Sequence, residues 1–168
     1  MKPQPSKIVV LGVDPGLATT GWGVVEKSSN SCVLHAFGAV LTAASLPLPQ
    51  RLQQIHDDLA EIIDRYSPAV LAIEELFFAK FAVSIAATAQ ARGVILVCAQ
   101  KKNVPVVEYN PRAVKIAMTG FGSASKFQIQ SMVQRHFALQ ELPRPDDAAD
   151  ALAIALCHLQ TRRDLAAV

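Results

Sequence analysis

The stretch KIVVLGVDPG (residues 7–16) decides the fold. Its β-branched apolar run reads as a buried strand, and Pro15-Gly16 breaks it directly after Asp14. A carboxylate is thereby placed at the C-terminal end of a buried strand. Working outward, TGWGVVEK (20–27) and SCVLHAFGAVL (31–41) read as two further strands with SSNS (28–31) as the turn, so the chain opens with a three-stranded meander. Leu48, Leu52, Ile55, Leu59, Ile62, Ile63 and Tyr66 then recur at helical spacing, which predicts an amphipathic helix over 48–66 closed by Pro68. AVLAIEE (69–75) is a fourth strand, ending in Glu74 and Glu75. One crossover helix separates it from the first, so the two can lie side by side in parallel.

The second half alternates helix and strand. Residues 81–102 are alanine-rich and helical, with a possible bend at Gly93, and VPVVEYN (104–110) is a fifth strand. Asn110-Pro111 opens a helix with a capping side chain followed by proline at the first helical position. GFGSASK (120–126) is a loop feeding a helix over 125–138, and Pro143 and Pro145 precede a last helix over about 146–162. The fold class is α/β, with a mixed sheet covered by helices on both faces.

At 168 residues, 51% of them apolar, the chain suits one buried core, and we read residues 1–168 as a single domain with a 1–6 extension and a short 163–168 tail. No apolar run approaches a membrane span, and MKPQPSK (1–7) lacks the apolar core of a signal peptide, so a cytoplasmic protein is expected. Cys32, Cys98 and Cys157 are scattered among apolar neighbours and form neither a disulfide framework nor a zinc pattern. Charge is asymmetric. Residues 80–144 carry nine Lys/Arg against two acids, while residues 1–79 carry five basic and eight acidic side chains. A basic half joined to an acid-bearing half suits a protein that grips a polyanion and binds a cation beside it.

The acids have a pattern. Parallel strands bring their C-terminal ends to one edge, where α/β sites form. Asp14 and Glu74 would meet there. In PDDAADALAIA (145–155), Asp147 and Asp150 are three apart and share a helix face, whereas Asp146 points elsewhere as a cap or first-turn acid. Capping is the plainer reading of any one of these aspartates. Together with two strand-end acids, they can instead hold hard divalent cations, Mg²⁺ or Mn²⁺. Two ions held about 4 Å apart suit attack of water on a phosphodiester. His35, His56, His136 and His158 are given no metal role; His158 lies two turns or more along the last helix from the aspartates.

GVDPG, TGWGV, AIEELFFAK, QARGV, EYNPRAVK, GFGSASK and DDAADALAIA occur in this order between about residues 7 and 160. They closely resemble the motifs of the RuvC family of bacterial Holliday-junction resolvases. The resemblance implies an RNase H-like fold with a five-stranded mixed sheet, and a homodimeric Mg²⁺-dependent endonuclease acting with a RuvA–RuvB branch-migration complex. It further implies paired, symmetric nicks with 5′-phosphates at a four-way DNA junction. Carried over by motif, Asp14, Glu74, Asp147 and Asp150 are the catalytic acids and metal ligands, Lys115 and Lys126 meet DNA phosphate, and Phe77 stacks at the junction centre. Phe81, Ala82 and Val83 stand where the family commonly carries asparagine and polar or basic residues, and Asp146 is an added acid. A sugar-kinase or actin-like ATPase shares an aspartate followed by a glycine-rich turn, but needs a second domain for which 168 residues leave no room. An RNA-processing relative and a non-catalytic junction scaffold are the other readings; the basic and aromatic segment 77–126 argues against the first and the four acids against the second.

Overall fold

The structure is a computed structural model that describes residues 7–28, 31–76 and 82–161. Its elements run β1 (Ile8–Asp14), β2 (Thr19–Lys27), β3 (Cys32–Leu41), α1 (Leu48–Tyr66), β4 (Val70–Glu74), α2 (Ala82–Lys101), β5 (Val106–Tyr109), α3 (Pro111–Thr119), α4 (Lys126–His136) and α5 (Asp146–Thr161). The five strands form one sheet in the order β3-β2-β1-β4-β5. The meander is antiparallel, while β4 joins β1, and β5 joins β4, in parallel. The expected α/β architecture is observed. Among the described residues, no helix is long and apolar enough to cross a membrane.

Strand alternation sorts the core into two layers. On one face Leu11, Val13, Leu71 and Ile73 pack against Ile55, Leu59 and Ile63 of α1 and Ile95 and Cys98 of α2. On the other, Val10, Val70 and Ala72 meet α3, α4 and α5. Local chemistry ends the helices where the sequence predicts. Ser67, in left-handed backbone geometry, closes α1 and donates its N–H to the Ile63 carbonyl. Asn110 caps α3 by accepting from Arg112 N at 3.0 Å. Gly120 (φ 81) ends that helix in the left-handed region, where glycine carries no Cβ penalty. Ser125 and Gln128 form a reciprocal capping box that starts α4 at Lys126. Helix α2 runs without interruption through Gly93.

Helix α5 is the unusual element. From Ala151 to Leu159 every side chain is buried, which requires apolar character all round rather than a stripe. It lies very close to the sheet. A Cβ on Gly12 would stand 2.0 Å from the Ala151 carbonyl oxygen, and one on Gly21 would stand 2.0 Å from that of Asp147. A Cβ on Gly23 would stand 2.4 Å from a Leu152 methyl. Three glycines on β1 and β2 thus form a track into which α5 sinks, and this sets the depth of its N-terminal acids.

Candidate active site

Four segments meet where β1 and β4 end. The parallel register pairs Val13 with Ile73, so Asp14 and Glu74 leave adjacent strands side by side. Alternation chooses Glu74 over its neighbour: Glu75 is exposed and accepts from Asn110 Nδ2 at 3.4 Å. Helix α5 brings Asp150 to the same place, α3 brings Lys115 and the start of α4 brings Lys126. Asp14, Glu74, Asp150, Lys115 and Lys126 line one depression of about 220 Å³ floored by Val114, Ile129 and Ile154.

The electrostatics follow from crowding acids in a partly dry site. Burial, reinforced by the charges of Glu74, Asp150 and Asp147 and opposed by Lys126, pushes the Asp14 pKa from 3.8 to about 8. Burial and Asp150 raise that of Glu74 against the pull of Lys115 and Lys126. Burial likewise raises that of Asp150, with Lys126 opposing. Lys126 Nζ stands 3.1 Å from Asp150 Oδ2 and 3.8 Å from Asp146 Oδ2. Burial disfavours its charge, but the Asp150 hydrogen bond and the field of the three aspartates outweigh this and raise its pKa. Lys115 and Lys126 together face Asp14, Glu74 and Asp150, so carboxylates outnumber ammoniums in the depression.

That donor set fits a hard divalent cation, since carboxylate oxygens are its preferred ligands and its charge would remove the repulsion. Among the described residues, no three carboxylate, imidazole or thiol groups already stand as a finished ion cage. The acids instead divide between two depressions, because Asp147 lines a separate one with Gly16, Arg51 and Thr88. Asp147 remains near enough to raise the Asp14 pKa.

The structure therefore brings Asp14, Glu74, Asp150, Lys115 and Lys126 into one depression and sets Asp147 beside it. Phe77 lies outside the described residues, as does Phe81. Asp146 departs from expectation. It faces Lys126 together with Asp150, because residues four apart also share a helix face. His158 is a buried structural residue whose Nδ1 lies 2.8 Å from Tyr109 Oη, and burial raises the thiol pKa of Cys98 and Cys157, as suits inert core cysteines.

Two supporting groups escaped the sequence reading. Arg92, within the QARGV motif, pairs with Glu108 at 2.6 Å and directs Nε toward the Glu74 carbonyl at 3.4 Å, tying the ends of β4 and β5 together. The glycine track is the other. Its signal was the alternate-residue spacing of Gly21 and Gly23 within TGWGV, which on a strand places both glycines on one face.

Comparison with known proteins agrees with this geometry. The profile of the family described as crossover junction endodeoxyribonuclease RuvC matches residues 10–158. A relative of that name from Endomicrobium trichonymphae is 52% identical over 155 residues, covering 92% of this chain and 82% of its own length. One from Chloroflexus aggregans is 50% identical over 151 residues, covering 90% and 92%. Thermus thermophilus RuvC, solved in complex with a Holliday junction substrate, matches with a TM-score of 0.87 at 38% identity over 93% of this chain and 95% of that one. The yeast mitochondrial Holliday junction resolvase Ydc2, at 13% identity and a TM-score of 0.66, shares the fold alone over 95% of this chain and 82% of its own. With its RNase H-like mixed sheet and acids at the ends of β1 and β4, the chain belongs to the RuvC family of crossover junction endodeoxyribonucleases.

Proposed function

We propose that the protein resolves four-way (Holliday) DNA junctions in recombination and repair, hydrolysing one phosphodiester in each of two strands of like polarity and leaving 5′-phosphate ends. One observation carries this reading. Half-buried strand-end acids and two lysines converge in a depression of about 220 Å³, which joins a cation-seeking surface to a phosphate-seeking one.

Asp14, Glu74, Asp147 and Asp150 would hold the metal, Mg²⁺ with Mn²⁺ as the alternative, and two ions per site are expected. When bound, the metal lowers the pKa of a water and offsets charge on the phosphate under attack. The chain's own residues do the rest. Lys115 and Lys126 hold the phosphate at the mouth of the depression, and an incoming phosphate competes with Asp150 for the Lys126 ammonium. Asp14 keeps its proton up to about pH 8 unless a cation compensates it, so cation binding and loss of that proton are coupled. Arg92 holds the Glu74 backbone in place from behind.

Phe77 is proposed to stack on unpaired bases at the junction centre, where bases need not first be unstacked. Two symmetric nicks require two sites and one chain carries one, so a homodimer is part of the proposal. Exposed Val97 on α2, beside Val94 and Leu52 of α1, supports an interface there. Association with a RuvA–RuvB complex and a cytoplasmic location complete the reading.

The test is incubation with a synthetic four-way junction and a linear duplex of the same sequence, with Mg²⁺ and with Mn²⁺. Paired nicks on the junction alone are expected, and Glu74→Gln should lower their rate at least about a hundredfold while junction binding persists. Equal cutting of the duplex, or of an RNA–DNA hybrid, would overturn the assignment.

A further inference from the structure

The depression beside Asp147 has a composition that the catalytic acids do not account for. It measures about 470 Å³ and is walled by the turn Gly16-Leu17-Ala18, by Arg51 of α1, by Thr88 of α2 and by Asp147. Its turn follows Asp14 directly in the chain, and Asp147 precedes Asp150 by about one helical turn on α5, which ties it to the depression that holds Asp14, Asp150 and the two lysines.

Arg51 is held at a fixed angle within it. Its Nε donates to Thr42 Oγ1 at 2.9 Å, and its Nη2 lies 3.5 Å from the Thr42 carbonyl. The Thr42 hydroxyl in turn donates to the Leu17 carbonyl, and the Thr42 backbone N–H donates to that of Ala18. The guanidinium is thereby tied to the turn that follows Asp14. A guanidinium has five N–H donors, and Thr42 engages two, leaving three with no partner among the described residues. A planar cation with donors to spare, held on one edge and set opposite a hydroxyl, matches a phosphate.

We propose that this depression receives a second backbone phosphate of the cut strand, flanking the scissile one, and that Arg51 is the residue that binds it. A strand crossing the carboxylate ridge then has a cationic hold on each side, Lys115 and Lys126 on one and Arg51 on the other. This fixes the track of the strand and centres the scissile bond over Asp14. Asp147 on the same wall would repel a phosphate that Arg51 did not hold, so the two residues together favour one register. The inference rests on the junction-resolving reading.

The experiment compares wild type, Arg51→Gln and Arg51→Lys for binding to a four-way junction without divalent metal. Junctions carry a neutral methylphosphonate at single positions around the cut. Arg51→Gln is expected to weaken binding about tenfold and to reduce the salt slope by about one, with Arg51→Lys keeping the slope. One methylphosphonate next to the scissile position should cost wild type a similar factor and cost Arg51→Gln nothing further. That non-additivity separates a phosphate contact from a structural role, for which the two losses multiply. An unchanged salt slope, or multiplied losses at both flanking positions, overturns the proposal. If Arg51→Gln does not fold, the wild-type scan decides, because full affinity at both flanking positions would also overturn it. Wild type that fails to nick the junction at all would instead sink the functional assignment.

Discussion

Replacing Asp14 with asparagine should stabilise the metal-free protein at alkaline pH and leave it almost unchanged in acid. Folding moves the Asp14 pKa from 3.8 to about 8, so between these limits the folded state keeps a proton that the unfolded chain has lost. Stability therefore falls as pH rises through this window, and the penalty is complete above about pH 8. A gap of about four pH units at about 1.4 kcal/mol each sets a ceiling near 6 kcal/mol. Because Glu74 and Asp150 can share the proton load, about 2–3 kcal/mol is the realistic gain for Asp14→Asn at pH 8.5, or about 5–10 °C in melting temperature for a chain of this size. The assay is thermal or urea unfolding in EDTA from pH 5 to 9. Wild type should lose stability across that range, and the variant should lose less. Mg²⁺ added at pH 8.5 should raise the wild-type melting temperature and have a smaller effect on Asp14→Asn, since the ion and the proton compete for the same carboxylate. Wild-type stability that rises with pH from 5 to 8, with no gain from Asp14→Asn at pH 8.5, would refute the idea that this carboxylate is buried against its own kind.

Gly21→Ala should destabilise by about 1–3 kcal/mol and depress cleavage, because its Cβ would meet the Asp147 carbonyl and lift α5 out of its track. Gly93→Ala, with nothing within 4 Å of the added methyl, should gain up to about 1 kcal/mol from helix propensity, and paired melting curves with nicking rates check both. Asp147→Asn and Asp150→Asn should be nearly inactive in junction-cleavage assays, whereas Asp146→Asn should keep most activity and tighten junction binding slightly by removing one of the two carboxylates that face Lys126; equal inactivation of all three would show that the helix face is misassigned. Lys115→Ala and Lys126→Ala should each lower the salt slope of junction binding by about one, and Phe77→Ala should leave that slope unchanged while impairing cleavage.

By itself the sequence determined the elements and their order. Strand β1, helix α1 and the helix opening at Asn110-Pro111 are written in local chemistry: β-branched runs, helical periodicity and caps that satisfy backbone groups within a few residues. It also placed acids at the ends of β1 and β4, because a strand that stops at a turn leaves its last side chain there. Tertiary structure decided which acids share a depression. Helix α5 descends only as far as three glycines on two strands allow, and that depth and rotation put Asp150 beside Asp14 while turning Asp147 toward Arg51. The same rotation set Asp146 facing Lys126, which spacing along one helix leaves open, since separations of three and four both share a face. Arg92 and Arg51 looked like ordinary helix arginines in sequence. Their roles depend on a strand-end carbonyl and on a turn that lies 34 residues before Arg51, and long-range contacts of that kind leave no local pattern.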